Sequence, residues 1–187
     1  MSGIIRVYKR DDEGILQFRE AWYDEVTEQV VVNFGTVGHQ SKTEETDVES
    51  TEAADALLTA FAAQCEADDF VDVPLEEQFW AVAQYSLKSP TGTDRDKYLQ
   101  DKAERTIIEY FAWRGIGIVD RTEMSNGKLN IFCIVPDATR AVQGLKVCLR
   151  EANLDFTKLS IGVAPYNDIE NIKAKHLPAA AKTFSLG

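Results

Sequence analysis

The segment from residue 44 to residue 77 constrains the fold of this chain more than any other. It contains twelve acidic residues and no lysine, arginine or histidine. Small and apolar residues recur within it at helical spacing, which predicts an amphipathic helix that has Ser50 or Thr51 as its N-cap and runs to about Glu66. The predicted apolar face consists of Ala54, Leu57, Leu58, Phe61, Ala62 and Cys65. The aspartates that follow the helix, together with Pro74, predict its exit and a domain boundary.

Short β-rich runs precede this helix. The predicted strands cover residues 4–8, 15–23 and 29–37, with a more exposed edge strand at residues 39–45. Gly35 and Gly38 interrupt the end of the third strand, which indicates a bulge or a close approach of two backbones. This first part is therefore predicted to form a small antiparallel sheet with one helix.

The pattern changes after residue 77 to that of a second domain. Its predicted elements are strand 78–88, helix 94–114, strands 116–123 and 128–135 joined by a turn at Asn126-Gly127, helix 138–152 capped by Asp137, and a final strand at residues 159–163. This order is that of the split βαβ arrangement of the ferredoxin-like fold. Such a fold is a four-stranded antiparallel sheet with both helices on one face.

We therefore predict an α+β protein with two domains and a tail. The first domain covers residues 1–73 and the ferredoxin-like βαββαβ domain covers residues 78–165. Residues 166–187 are predicted to form a C-terminal tail that is weakly helical at residues 168–175 and loose after them.

The two predicted helices leave one face of the second sheet uncovered. Strand alternation places either Phe79 and Tyr85 or Trp80 and Val82 on that face. If the face is apolar, something must cover it, and the first domain, the tail or a second copy of the chain could each do so.

The corner that ends the third predicted strand reads Asn33-Phe34-Gly35-Thr36-Val37-Gly38. With several strands and one amphipathic helix over residues 4–72, it resembles the WGR-type module, whose name motif is Trp-Gly-Arg followed by an apolar residue and Gly. A phenylalanine stands for the tryptophan, both glycines match, and Thr36 stands in the place of the arginine. Asp69-Phe70 resembles the closing Gly-aromatic segment of that family. The resemblance implies binding to nucleic acid ends or packing against a catalytic domain.

The net charge of −11 is unevenly distributed along the chain. Residues 1–90 carry 19 acids and 6 bases, whereas residues 91–187 carry 12 acids and 14 bases. The first half should therefore attract basic partners and repel nucleic acid phosphates and acidic lipid surfaces, since phosphate binding depends on Lys and Arg. A solvated surface that serves solubility is the alternative. The predicted partner-binding residues are Glu44, Glu45, Asp47, Glu49, Glu52, Asp55, Glu66, Asp68 and Asp69.

Composition and termini indicate the class of protein. The three cysteines, an odd number without metal-ligand spacing, are predicted to be buried thiols of a reducing compartment. His39 and His176, the two histidines, are interpreted as surface residues. The N-terminus has no apolar core of signal-peptide length, and no run approaches membrane-spanning length. We therefore predict a cytoplasmic protein without a cofactor or a metal.

No motif in the sequence commits the chain to catalysis. Glu109, Asp120 and Glu123 could form a carboxylate group near the end of the second sheet, with solvated surface acids as the alternative. Cys133 lies in an apolar strand and is interpreted as a core residue rather than a nucleophile. Phe132 has few basic neighbours, so the strand around it gives little support to RNA binding.

The leading hypothesis is a non-enzymatic acidic protein-binding module. It would act as an inhibitor, an immunity protein or a regulator of a basic partner such as a nuclease. Two alternatives stay open: a WGR-like accessory protein in a nucleic-acid-processing complex, and an enzyme with a carboxylate site. A homodimer is also left open, because a second copy could cover the open sheet face.

Overall fold

A computed structural model of the chain describes residues 3–186. The predicted first domain and tail extend to Met1, Ser2 and Gly187, which lie outside the described residues. The described part contains three α-helices and two antiparallel sheets, one of four strands and one of five. This architecture confirms the predicted α+β class. Within residues 3–186, no helix is both long enough and apolar enough to cross a membrane.

The chain divides into two compact units. The first unit comprises Met1–Val73 with Trp113–Gly115, and the second comprises Pro74–Ala112 with Ile116–Gly187. The division along the chain thus falls between Val73 and Pro74. Each unit is built around its own sheet.

The first unit is a four-stranded meander with one helix. Its elements are β1 (Ile5–Arg10), β2 (Leu16–Asp24), β3 (Gln29–Thr36), β4 (Lys42–Asp47) and α1 (Thr51–Ala67). The strands lie in the order β1-β2-β3-β4, so that β1 and β4 are the edges of the sheet. The Ser50 side chain accepts a hydrogen bond from the Ala53 N–H at 3.1 Å, which confirms the predicted N-cap.

The helix α1 buries a narrower stripe than its apolar residues predict. Ala54 and Leu58 form a core cluster with residues of β2 and β3, and Phe61 packs against it. Leu57 is 40% exposed, and Ala62 is exposed as well, so their assignment to the buried face was wrong. A helix that lies on one sheet buries only the side chains at its line of contact, and these two residues flank that line.

The glycine corner after β3 shows one of its two predicted alternatives, a close approach of two backbones, and not the other, a bulge. The β2–β3 register is continuous up to Gly35, and a Cβ at Gly35 would come no closer than 3.6 Å to another atom. No bulge is therefore present at Gly35. Two backbones do approach each other at Gly38, whose N–H donates to the Arg114 carbonyl at 2.9 Å. Both Gly35 and Gly38 have positive φ, which lets the chain turn out of β3.

The second unit contains the predicted strand and helix order with one strand added. Its elements are β5 (Phe79–Ser86), α2 (Asp94–Ala112), β6 (Ile118–Ser125), β7 (Lys128–Val135), α3 (Ala138–Glu151), β8 (Leu159–Pro165) and β9 (Lys173–His176). The strand order is β6-β7-β5-β8-β9. The first strand of the unit, β5, therefore lies between β7 and β8, as a split βαβ arrangement requires.

Two local signals in this unit are confirmed. Asn126 and Gly127 both have positive φ and form the turn between β6 and β7. The Asp137 side chain accepts a hydrogen bond from the Arg140 N–H and caps α3. The helix α2 ends at Ala112, before the predicted Arg114, and Gly115, whose φ is +58°, turns the chain out of it. The carbonyls of Trp113 and Arg114 then accept hydrogen bonds from the Ser41 and Gly38 N–H groups.

The C-terminal segment is not the weakly helical tail that the sequence predicts. A single 3₁₀ turn covers Ile169–Asn171, and Lys173–His176 then pairs with the edge of β8 as strand β9. The prediction that β8 is the final strand was therefore wrong as well. Backbone pairing with an available strand edge outweighs a weak helical pattern in so short a segment.

This C-terminal segment covers the open face of the second sheet. Trp80, Val82, Phe132 and Ile134 form a core cluster on that face. The residues packed against the cluster are Tyr166, Ile169, Ile172, Phe184 and Leu186. Of the two faces considered from the sequence, the one that bears Trp80 and Val82 is thus covered by the tail.

Candidate functional site

The net negative charge of the protein lies in one of its two units. The first unit holds 17 acidic and 6 basic residues, whereas the second unit holds 14 of each. The whole formal net charge of −11 therefore lies in the first unit. A field of this sign and size acts on charged partners over roughly a Debye length, about 8 Å at physiological ionic strength.

Three of the predicted partner-binding residues lie on the edge strand β4, all of whose residues are exposed. Glu44 stands opposite Val32 and Glu45 stands opposite Val31 in the β3–β4 register. Cross-strand partners share a face of a sheet, so the two glutamates lie on opposite faces. The segment therefore presents its acids on both sides of the edge rather than on one surface.

The other exposed acids lie beside this edge and along α1. Glu49 precedes α1, Glu52 lies in its first turn, Asp55 follows one turn later and Glu66 lies near its end. Neither these four residues nor the acids of β4 form an ion pair with another described residue. Asp47 accepts one hydrogen bond, from the Gln29 amide at 2.8 Å. Their carboxylates are therefore open to an external cation.

Asp68 and Asp69 differ from this set because their charges are used within the first unit. The Arg19 guanidinium lies 2.6 Å from an Asp68 oxygen, and the hydrogen bond that it donates lowers the pKa of Asp68. Lys9 lies 3.6 Å from Asp69 and donates to the Asp68 carbonyl. These contacts join the end of α1 to β1 and β2. The sequence could not distinguish these two acids from the other seven, since their partners are distant along the chain.

The corner that carries the WGR-type resemblance is held by a polar network. The Thr36 hydroxyl donates to the Gln17 side-chain oxygen at 3.0 Å. The Gln17 amide in turn donates to the Asp11 carboxylate at 2.9 Å. The residue in the place of the motif arginine is thus an internal hydrogen-bond donor and carries no charge towards a ligand.

The three candidate catalytic carboxylates do not form an acid–base pair. Arg121 lies 2.8 Å from Asp120 and 2.7 Å from Glu123, and its guanidinium lies over the Phe132 ring at 4.0 Å. Both carboxylates therefore serve as ion-pair partners of one guanidinium. Glu109 is an exposed residue of α2.

The other candidate reactive groups are also placed without catalytic geometry. Cys133 is fully buried, and burial raises the pKa of its thiol, which suppresses the reactive thiolate. His39 is exposed, as predicted. His176 is half-buried instead, packs against the Phe156 ring at 4.8 Å, and its Nε2 has no hydrogen-bond partner among the described residues.

Sequence reasoning missed a cavity of about 440 Å³ in the second unit. It lies where β5 ends, α2 begins and the chain passes from α3 to β8. Four cationic residues, which are Lys88, Arg95, Lys102 and Lys158, and two acids, Asp96 and Asp155, line it. We refer to it as the cationic cavity. Arg95 and Lys102 lie seven residues apart on one face of α2, which was the only signal in the sequence.

Comparison of the chain with models of known protein families, with curated protein sequences and with solved structures finds no match. Among residues 3–186, no group of three or more His, Cys, Asp or Glu side chains could hold a metal ion. The function is therefore inferred from the charges and contacts of the chain itself.

Proposed function

We propose that this protein is an acidic protein-binding module without catalytic activity, whose first unit binds a basic partner. It would act as an inhibitor, immunity protein or regulator of that partner, for which a nuclease is the best-fitting class because nucleases bind phosphate with cationic grooves. The observation that carries the proposal is the location of the entire net charge of −11 in the first unit, with unpaired carboxylates along its exposed edge.

The edge strand supports binding in a second way. β4 is the last strand of its sheet, so the backbone groups on its outer side have no partner strand within residues 3–186. Charged residues along such an edge prevent pairing with other chains that are acidic or neutral. A basic extended segment would instead find both backbone partners and opposite charge, as in recognition by strand addition. The edge thus selects for the charge of its partner.

The acids Glu44, Glu45, Asp47 and Glu49 form what we call the acidic edge. Asp68 and Asp69 are not part of the proposed contact surface, because they already form ion pairs with Arg19 and Lys9. Glu52, Asp55 and Glu66 remain as exposed acids of α1 that extend the negative field around the edge.

A second proposal is an accessory role in a nucleic-acid-processing complex, as the WGR-type resemblance implies. The observation in its favour is that the glycine corner forms backbone hydrogen bonds with a distant segment of the same chain. Gly38 N–H donates to the Arg114 carbonyl and Ser41 N–H donates to the Trp113 carbonyl, each at 2.9 Å. Packing against protein fits this geometry better than contact with phosphates does, given the uncharged Thr36 and the acidic first unit.

The test uses two variants of equal charge. In the edge variant, Glu44, Glu45 and Glu49 are changed to Lys, and in the control variant, Asp12, Glu13 and Glu25 are changed to Lys. All six positions are exposed residues of the first unit, so both variants alter its net charge equally. Only the edge variant changes the proposed contact surface.

Each protein is used to capture partners from host lysate, with and without nuclease treatment, at low and high salt. The Kd for the recovered basic protein is then measured. We expect the edge variant to bind at least roughly tenfold more weakly, and the control to lose much less. Equal affinity of wild type and edge variant would refute the acidic edge as the contact. Recovery only when nucleic acid is left intact would favour the accessory role.

A further inference from the structure

The cationic cavity holds more positive than negative charge, since four cations and two acids line it. Lys88, Arg95 and Lys102 form no ion pair with another described residue. The second unit as a whole carries equal numbers of acidic and basic residues, so the excess of cations is local to the cavity. The cavity therefore favours an anionic occupant.

The two acids that line the cavity offset only part of this surplus, because two carboxylates face four cations. The Asp96 carboxylate accepts hydrogen bonds from the N–H and the hydroxyl of Thr93, both at 2.8 Å, and these bonds lower the pKa of Asp96. The Asp155 carboxylate accepts from the N–H and hydroxyl of Thr157 and lies 3.3 Å from Lys158. Both acids thus act as local caps of their own segments.

A buried hydroxyl gives an independent indication of a ligand. Tyr85 lines the cavity from the end of β5, is 1% exposed, and its hydroxyl has no hydrogen-bond partner among the described residues. Buried polar groups in folded proteins are almost always hydrogen-bonded, so an unpartnered one requires an explanation. A ligand oxygen in the cavity would accept this hydrogen bond.

The volume of the cationic cavity and the residues that line it limit which class of ligand fits. A volume of about 440 Å³ exceeds what a single inorganic ion needs and lies within the range of small-molecule sites. Tyr98, Leu99 and Leu154 add an apolar wall beside the cations, suited to the uncharged part of a ligand. Several cations together suit a phosphate group, which carries more charge than one carboxylate.

We propose that the cationic cavity binds a phosphorylated small molecule. Lys88, Arg95 and Lys102 neutralise its phosphate, and the Tyr85 hydroxyl donates to one of its oxygens. This site lies in the second unit and is separate from the proposed partner-binding edge of the first unit, so each proposal can fail without the other.

Binding is measured by titration calorimetry of the full chain at low salt with three probes: inorganic phosphate, ribose 5-phosphate and adenosine 5′-monophosphate. We expect saturable binding of at least one of the two organic phosphates, tighter than that of inorganic phosphate. Preference between the two organic probes distinguishes a sugar phosphate from a nucleotide. The absence of saturable binding of both organic phosphates would overturn the proposal.

Three variants locate the site. Lys102→Ala and Tyr85→Phe should each weaken binding by roughly tenfold, because each removes a contact to a charged group. Lys173→Ala removes the same charge from β9, outside the cavity lining, and should change the affinity less than twofold by the same reasoning. Equal losses in Lys102→Ala and Lys173→Ala would refute the location and indicate general charge attraction.

The Tm of Tyr85→Phe, measured without ligand, gives a second test of the hydroxyl. Because no ligand is present, this measurement does not depend on binding at any other site. Since the hydroxyl has no partner among the described residues, its removal should leave the Tm unchanged or raise it. A large fall in Tm would show that the hydroxyl is satisfied within the protein, and would contradict its assignment to a ligand.

Discussion

The packing of Phe184 on Gly162 provides a direct test of how the C-terminal segment covers the second sheet. A Cβ built on Gly162 would lie 2.6 Å from Cε1 of the Phe184 ring and 2.8 Å from its Cδ1. Carbon atoms in contact need about 3.5–4.0 Å, so Gly162→Ala requires the ring to move by roughly 1 Å. The Ser185 carbonyl resists this movement, because Gln84 and Lys128 donate to it at 2.8 and 2.7 Å.

The size of the effect follows from this geometry. Overpacking a well-filled site costs about 1–3 kcal/mol, so we expect Gly162→Ala to lower the free energy of unfolding by ~2 kcal/mol. Phe184 is half-buried, and its change to Ala should cost ~2 kcal/mol, less than the 3–5 kcal/mol of a fully buried ring. In the Phe184→Ala background the ring is gone, so Gly162→Ala should then cost less than about 0.5 kcal/mol.

Urea denaturation of the four proteins of this double-mutant cycle, followed by circular dichroism, measures the coupling. Gly3→Ala is the control, because no atom lies within 4 Å of a Cβ built at that exposed position. It should change the free energy of unfolding by less than about 0.5 kcal/mol. An equal cost of Gly162→Ala with and without the Phe184 ring would refute the docking of the C-terminal segment on this face.

Two further predictions concern single residues. Arg6 and Glu20 form a two-point ion pair at 3.0 Å with side chains 19% and 5% exposed, so Glu20→Ala should cost about 3 kcal/mol by leaving a buried guanidinium unpaired. In urea denaturation, the exposed control Glu25→Ala should change the free energy of unfolding far less than Glu20→Ala does. Equal effects of the two variants would contradict a stabilising role for the Arg6–Glu20 pair. Burial, together with the nearby charges of Lys146 and Arg150, lowers the pKa of His176 below its ordinary value of 6.5. The folded state therefore favours the neutral ring, and as the pH falls below 6.5 protonation of His176 in the unfolded chain reduces the stability of the fold. His176→Leu should therefore lose less stability on acidification than wild type in pH-dependent thermal unfolding, and parallel curves would show that His176 does not titrate on unfolding.

The sequence alone determined the elements whose causes are local. The N-caps at Ser50 and Asp137 and the turn at Asn126-Gly127 depend on hydrogen bonds and φ values within three or four residues. Strand alternation and helical spacing depend on the same short range, and together they predict the α+β class correctly. The sequence located helix ends less well where the backbone after the helix bonds with distant residues. At the end of α2, for example, the Trp113 and Arg114 carbonyls accept hydrogen bonds from the Ser41 and Gly38 N–H groups.

Only the tertiary structure decided which side chains meet across long separations along the chain. It paired Asp68 with Arg19, left Glu44 and Glu45 unpaired on opposite faces of an edge, and turned part of the tail into strand β9. It also brought the ends of β5 and α3 to the start of α2, which creates the cationic cavity. The physical reason is that each of these contacts depends on which surfaces the folded chain buries, and residue spacing encodes only the faces of single elements.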